Sequence, residues 1–373
     1  MHVAFTIAGL GAGGAERVLS LITAAWVVDR LVTIISFDSC SDLVFHSFDP
    51  RVRIVRLDIP HTRSGLLKQI VTAIRRTLRL RRTLRELNPD IVISFLTKIN
   101  VLTLLASLGM RHPVIISERN NPQMQASNVA WRALLSRLHW RASGVVMQTR
   151  DSLVCLKGRA RQRAQVISNP VEIPGLTSPK IGPPVLAAVG RLTAQKGFDL
   201  LIEAFAAVAP SHPDWTLRIW GEGELRHELE RQVKDLGLEH RVDLPGVSRD
   251  PAEWIRDADA FVFSSRYEGF GNALAEAAAS GLAVVSFDCP FGPSDIIDHD
   301  RTGLLVPPGD IAALSAALDR VMSDELLRKR LGEAARADMS RFAPGKIIAQ
   351  WDALLVQVLL GASKLPLVGT RQG

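Results

Sequence analysis

The short apolar run Ala260-Phe-Val-Phe263 is followed by Ser264-Ser-Arg-Tyr-Glu-Gly-Phe-Gly271 and then by the Ala-rich stretch from Asn272 to Ala279. Four apolar residues, a turn holding two glycines and a run of strong helix formers read as a buried strand that turns directly into a helix. A strand buried on both faces needs neighbouring strands and a helix layer to cover it, which restricts the chain to the α/β class. The amino terminus repeats the pattern. There, His2 to Ala8 reads as a strand, Gly9-Leu-Gly-Ala-Gly-Gly14 as a turn where backbone can approach a ligand, and the apolar run to Val28 as a helix. At 373 residues the chain suits two domains better than one core.

The central stretch carries chemistry as well as geometry. A helix N-terminus presents free backbone N–H groups to an anion, and here Glu268 precedes the helix while Glu276 lies within it. If both lay on one helix, their Cα atoms would stand about 12 Å apart along the axis. Carboxyls that flank a single scissile bond stand about 5 to 9.5 Å apart. The spacing therefore suits an extended ligand, with a phosphate between its ends, better than a two-carboxylate hydrolase. Upstream, the apolar run from Val185 to Val189 delivers Gly190-Arg191-Leu192 and then Lys196-Gly197. Two cations at a strand's end can hold a diphosphate and offset charge that grows on it.

The E-x7-E arrangement Glu268-Gly-Phe-Gly-Asn-Ala-Leu-Ala-Glu276, with Gly190-Arg191-Leu192 and Lys196-Gly197 before it, resembles the retaining glycosyltransferases of family 4. The similarity runs from the Gly-rich start to about Leu355. It implies the GT-B fold, two Rossmann-like doubly wound domains facing across a cleft, with a nucleotide-sugar donor held mainly by the second. It implies catalytic roles for Glu268, Arg191 and Lys196, and donor contacts from Gly190, Gly269, Phe270, Gly271, Asn272 and Glu276, the last accepting hydrogen bonds from the ribose hydroxyls. Gly13 and Gly14 would lie at the cleft. UDP is the nucleotide the resemblance favours. The family's first-domain histidine has no counterpart after the run from Pro113 to Ser117. Glu118, Arg119 and Asn120 remain there as candidates for sugar or acceptor contacts. The loop Asp288-Cys-Pro-Phe-Gly-Pro-Ser-Asp295 is similar to that of transferases that build bacterial glycans on polyprenyl diphosphate, so a lipid-linked glycan is the expected acceptor. With two cations present no divalent metal is required. Asp257-Ala-Asp259 has the spacing of a metal motif but precedes a buried strand, and no cofactor is expected besides the nucleotide sugar as co-substrate.

The expected organisation is an acceptor-side domain over 1–172, a linker over 173–184 with four prolines, and a nucleotide-sugar domain over 185–343. A last helix, at about 344–360, would return to the first domain. Charge divides along the same line. Residues 1–175 hold 24 Lys and Arg against 11 Asp and Glu, a net +13, whereas the remainder holds 21 against 27, a net −6. A basic half should face an anionic partner.

The most basic segment runs from Ser64 to Asn88 and has helical periodicity. Leu66, Ile70, Ala73, Leu80, Leu84 and Leu87 define an apolar arc, widened by Leu67, Val71, Ile74 and Leu78, that is expected to pack on the sheet. Lys68, Arg75, Arg76, Arg79 and Arg82 form the opposite side, which suits electrostatic docking on anionic lipid. Cys40, Cys155 and Cys289 read as buried thiols of a reducing compartment. The start lacks a secretory pattern and no run of about 18 apolar residues is present. These features give a cytoplasmic protein, peripheral on the inner face of the plasma membrane. A single Tyr leaves little surface for stacking bases, so nucleic acid is not an expected partner. The alternatives are a GT-B nucleotide-sugar epimerase and a non-enzymatic anion- or nucleic-acid-binding protein that uses the basic half.

Overall fold

The central strands are apolar runs buried along nearly their whole length, the pattern required where helices cover both faces of a parallel sheet. The computed structural model describes residues 1–59, 65–121, 129–172, 182–248 and 251–363. Its strands form one parallel sheet in each of two units, Met1–Pro170 with Pro344–Gly373, and Val171–Ala343. As far as residue 181, the linker expected over 173–184 lies outside the described residues.

The first unit runs β1 (His2–Ile7), α1 (Gly14–Trp26), β2 (Leu31–Ser36), β3 (Arg53–Arg56), α2 (Leu66–Leu87), β4 (Ile91–Phe95), α3 (Thr97–Ala106), β5 (Val114–Ser117), α4 (Val129–Leu138), β6 (Gly144–Met147), α5 (Gly158–Gln162) and β7 (Ala164–Val166). The strands are ordered β3-β2-β1-β4-β5-β6-β7, so the order reverses between β1 and β4. At such a reversal the loops leave the carboxyl ends of adjacent strands toward opposite faces and open a crevice. The turn from β4 into α3 is made by Leu96 at φ 77°, without a glycine to announce it.

The second unit runs β8 (Val185–Val189), α6 (Phe198–Val208), β9 (Thr216–Trp220), α7 (Arg226–Asp235), β10 (Val242–Gly246), α8 (Pro251–Arg256), β11 (Ala260–Phe263), α9 (Asn272–Ala279), β12 (Ala283–Phe287), α10 (Pro293–Ile296), β13 (Leu304–Val306), α11 (Ile311–Ser323) and α12 (Glu325–Asp338). Its order is β10-β9-β8-β11-β12-β13, and here the reversal falls between β8 and β11. The alanines of α9 allow close packing on the sheet, and every residue from Leu274 to Ala279 is buried. The final helix, α13 (Pro344–Ser363), belongs to the first unit. Its Trp351 is fully buried with ring centroids 6.3 Å from Phe95, and its Asp352 accepts a 2.6 Å bond from Arg30 Nη1 beyond α1.

Two readings of the sequence need correction. On α2, Leu80 and Leu84 are buried, but Leu67, Ile70, Val71, Ile74 and Leu78 are exposed, and Arg76 is buried among the apolar side chains. At about 100° per residue, Leu67, Val71, Ile74 and Leu78 fall on the side away from Leu80 and Leu84, so only one of two apolar faces finds a core. The cysteines also differ among themselves: Cys289 is buried, Cys155 half-buried and Cys40 exposed. Among the described residues no helix is long and apolar enough to cross a membrane.

Candidate active site

The second unit brings its sequence-singled residues to the carboxyl ends of β8, β11 and β12. After β8, the chain passes Gly190 and the exposed Arg191, then tightens into a 3-10 turn, Ala194–Lys196, closed by Gly197 at φ 62°. The aliphatic part of Lys196 lies across Gly190 so closely that a side chain at Gly190 would meet its Cδ and Cε at 3.0 Å. Lys196 Nζ donates to Glu268 Oε1 at 2.6 Å and stands 5.3 Å from the centre of the Phe263 ring. The pair is largely withdrawn from solvent, with side-chain exposures of 18% and 10%.

A set of hydrogen bonds locks the loop after β8 to the loop after β11. Arg266 N donates to Gln195 O at 2.8 Å, Gln195 Nε2 to Tyr267 O at 2.9 Å, and Ser264 Oγ to Lys196 O at 2.9 Å. The Arg266 guanidinium forks onto both carboxylate oxygens of Asp199, at 2.8 and 2.6 Å, and this hydrogen bonding holds the Asp199 carboxyl below the usual range. The loop after β9 joins them. Gly190 N donates to Trp220 O at 2.9 Å and Leu192 N to Glu222 O at 2.9 Å. Gly221 and Gly223 sit so close to the carbonyls of Gly190 and Leu192 that no Cβ fits at either position.

Gly269, Phe270 and Gly271 are buried, and Gly271, at φ 104°, starts α9 at the half-buried Asn272. Glu268 therefore does not share a helix with Glu276, and the separation argued for a continuous helix does not apply, because the left-handed Gly271 breaks the spiral. Glu276 lies in the second turn of α9 with 8% of its surface exposed. The loop after β12 closes over this segment: Glu268 N meets Pro290 O at 3.4 Å, and a Cβ at Gly292, which has φ 121°, would collide with the carbonyl of Phe270. Burial, reinforced by the charge of Glu268, pushes the Cys289 thiol well up, so it stays protonated. The result is a shielded Lys–carboxylate pair beside a helix N-terminus, with a second cation, Arg191, in solvent. Such a set can hold a diphosphate and face a positive centre at its far side.

In the first unit, Gly13 and Gly14 cap and begin α1 beyond β1. Gly13 has φ −88°, which any residue adopts, and only the carboxyl end of the flexible Glu16 side chain lies where a Cβ would project, so neither backbone nor fixed packing demands glycine there. Beyond β5, Glu118 and Arg119 are buried and turn apart, while Asn120 is half-buried. Glu118 accepts from Thr97 Oγ1 at 2.6 Å and from Asn100 Nδ2 at 2.7 Å, both on α3. Arg119 Nη1 donates to Asn169 Oδ1 at 2.7 Å, and its guanidinium lies 4.1 Å from the centre of the Phe95 ring and 5.6 Å from that of Trp351. Burial pushes the Arg119 guanidinium down to about 9 and raises Glu118 above its ordinary 4.5. Asn169 also accepts from Gln148 Nε2 at 2.6 Å. No local pattern could have announced that cluster.

The raised Glu118 value has a measurable consequence. The native state holds a proton there more readily than the unfolded chain, so stability falls as pH rises from 4.5 through the raised value. Glu118→Gln is expected to remove that fall, flattening the difference in melting temperature between pH 5 and pH 8. A variant that keeps the parent's pH slope would contradict the assignment.

Asp257 and Asp259 have structural partners: Asp257 Oδ2 accepts from Arg218 Nη1 at 3.0 Å and Asp259 Oδ2 from Val185 N at 2.7 Å. Among the described residues no group of three His, Cys, Asp or Glu side chains is placed to hold a metal ion.

Comparison with known proteins gives matches in both units. The description "Glycosyl transferase 4-like domain" matches residues 13–170, and "Glycosyl transferases group 1" matches residues 177–338. An exopolysaccharide phosphotransferase of Streptomyces coelicolor is 31% identical over 75% of this chain, which spans only 30% of that longer protein. A Campylobacter jejuni enzyme named GalNAc-alpha-(1->4)-GalNAc-alpha-(1->3)-diNAcBac-PP-undecaprenol alpha-1,4-N-acetyl-D-galactosaminyltransferase is 28% identical over 96% of this chain and 99% of its own. Among solved structures, Anabaena HepE in complex with UDP and glucose superposes with a TM-score of 0.79 at 22% identity, covering 95% of this chain and 99% of that one. With each unit matched by its own family description and 95% of the chain matched in fold, the protein belongs to the glycosyltransferases built of a 4-like domain followed by a group 1 domain, on the GT-B fold.

Proposed function

We propose that the enzyme transfers a hexose or N-acetylhexosamine from a UDP-sugar to a hydroxyl of a polyprenyl-diphosphate-linked glycan, with retention at the anomeric carbon, during assembly of a bacterial surface polysaccharide or glycan. The observation that carries the reading is the 2.6 Å Lys196–Glu268 pair at the strand-order reversal, beside the N-terminus of α9. On this reading Lys196 and Arg191 bind the diphosphate, and Glu268 faces the sugar and supports the positive charge that develops at its anomeric carbon. Glu276 accepts the ribose hydroxyls, for which an ionised carboxylate is a strong partner. The bond from the anomeric carbon to the diphosphate oxygen breaks with its electron pair leaving on the diphosphate. The acceptor oxygen forms the new bond on the same face and gives its proton to the departing phosphate.

The lipid-linked acceptor is supported by the Campylobacter relative, whose name specifies a PP-undecaprenol glycan. An acceptor of that kind places the enzyme at the cytoplasmic face of a membrane. The test is thermal stabilisation by UDP, GDP, ADP and their sugar conjugates, since a ligand that binds the native state raises its apparent stability. A selective shift with a uridine nucleotide that disappears in a folded Glu276→Ala variant is the expected result. Equal stabilisation of parent and variant would remove Glu276 from the donor site.

A further inference from the structure

The amino-terminal half of α2 leaves a face uncovered that its core packing does not use. Leu67, Val71, Ile74 and Leu78 are exposed by 79%, 54%, 54% and 60% of their surface. Their spacing of four, three and four residues places them within about 60° of arc on one side of the helix. The opposite side holds the helix in place: Leu80 and Leu84 are buried, and Arg76 donates through Nε to Ile59 O at 2.8 Å with its guanidinium 5.1 Å from the centre of the Phe37 ring. The exposed stripe is thus surplus to the fold.

Charge decides what such a stripe faces. Lys68, Arg75 and Arg79 are exposed along one flank of it, and Arg82 and Arg85 continue its line toward the carboxyl end. The only acid on the helix is Glu86, paired with Arg82 at 2.8 Å. An apolar strip bordered by cations is the arrangement of a helix that lies in a lipid interface, its aliphatic groups below the headgroups and its cations among their phosphates. A protein partner would have to supply both an apolar groove and a rim of carboxylates.

We infer that α2 docks the enzyme on an anionic bilayer by inserting Leu67, Val71, Ile74 and Leu78, with Lys68, Arg75 and Arg79 on lipid phosphates. The inference deepens the membrane placement proposed above. It also reverses the expectation from sequence, in which those four residues pack on the sheet and charge alone meets the lipid.

The test is flotation of the full chain with vesicles of phosphatidylcholine alone and with about one-third phosphatidylglycerol. The parent should partition onto the anionic vesicles, less so as salt rises. Val71→Ser/Ile74→Ser should weaken that binding at least 10-fold with an unchanged melting temperature, because both side chains are exposed. Arg75→Gln/Arg79→Gln should weaken it and flatten the salt dependence. The inference is overturned if the parent ignores anionic vesicles, or if the serine variant binds them as the parent does. It is also overturned if the parent is a dimer that the serine substitutions dissociate without any vesicle binding. Stabilisation by uridine nucleotides is read on the same preparations and depends on the second unit, so failure of the membrane inference leaves the transferase reading standing, and the reverse.

Discussion

Lys196→Ala is expected to lower kcat for sugar transfer by about 100- to 1000-fold, or about 2.7 to 4 kcal/mol of transition-state stabilisation, the usual effect of deleting one preorganised partner of a developing anion. The ammonium group is held ready by the Glu268 carboxylate at 2.6 Å, by its chain lying over Gly190 and by the Phe263 ring. It therefore pays little reorganisation when charge grows on the leaving diphosphate. KM should change less than kcat, because the charge being met is larger in the transition state than in the bound donor. Removing one member of a shielded pair also leaves Glu268 without its cation, which costs stability. Far-UV circular dichroism and thermal unfolding of the same preparation separate the two effects. A folded variant with kcat within fivefold of the parent would remove Lys196 from the reaction.

A second large effect is expected from a methyl group. Gly221→Ala should destabilise the second unit by about 3 to 5 kcal/mol, through backbone strain and a forced separation of two loops. Gly221 has φ 149°, and its Cβ would fall on the carbonyl oxygen of Gly190, beside the bond from Gly190 N to Trp220 O. The loop that carries Arg191 and Lys196 would have to move. The melting transition of this unit should drop by roughly 10 °C, and stabilisation by nucleotide should go with it. Gly237→Ala sets the scale: at φ 67° with nothing within 4 Å of the added carbon, it carries strain without collision. If Gly221→Ala costs no more than Gly237→Ala, close approach of the two loops is not what requires the glycine.

Much of this architecture is legible in the sequence because its signals are local. Apolar runs such as Ala260–Phe263 are strands whatever they pair with, and the alanines after Asn272 are a helix wherever it packs. The carboxylates and cations of the second unit were also marked by their places beyond strands. What escaped was pairing. Lys196 and Glu268 are 72 residues apart, and nothing in either segment says that their side chains meet. Arg119 and Asn169, 50 residues apart, are joined by a sheet that sets the ends of β5 and β7 on one side. On α2 even the choice of face was lost, since both sides of its first three turns are apolar and periodicity alone does not rank them.

By itself the sequence determined the α/β class, the strand–turn–helix units and the residue types at the strand ends, because propensity, turn chemistry and hydrophobic period act over a few neighbouring residues. Only the tertiary structure decided the strand orders, the closure of the Gly190, Gly221 and Gly292 loops, the Lys196–Glu268 contact and the burial of Arg76 in place of Leu67. Those depend on which surfaces remain once every strand has found its neighbours, a condition set by close packing across the whole unit.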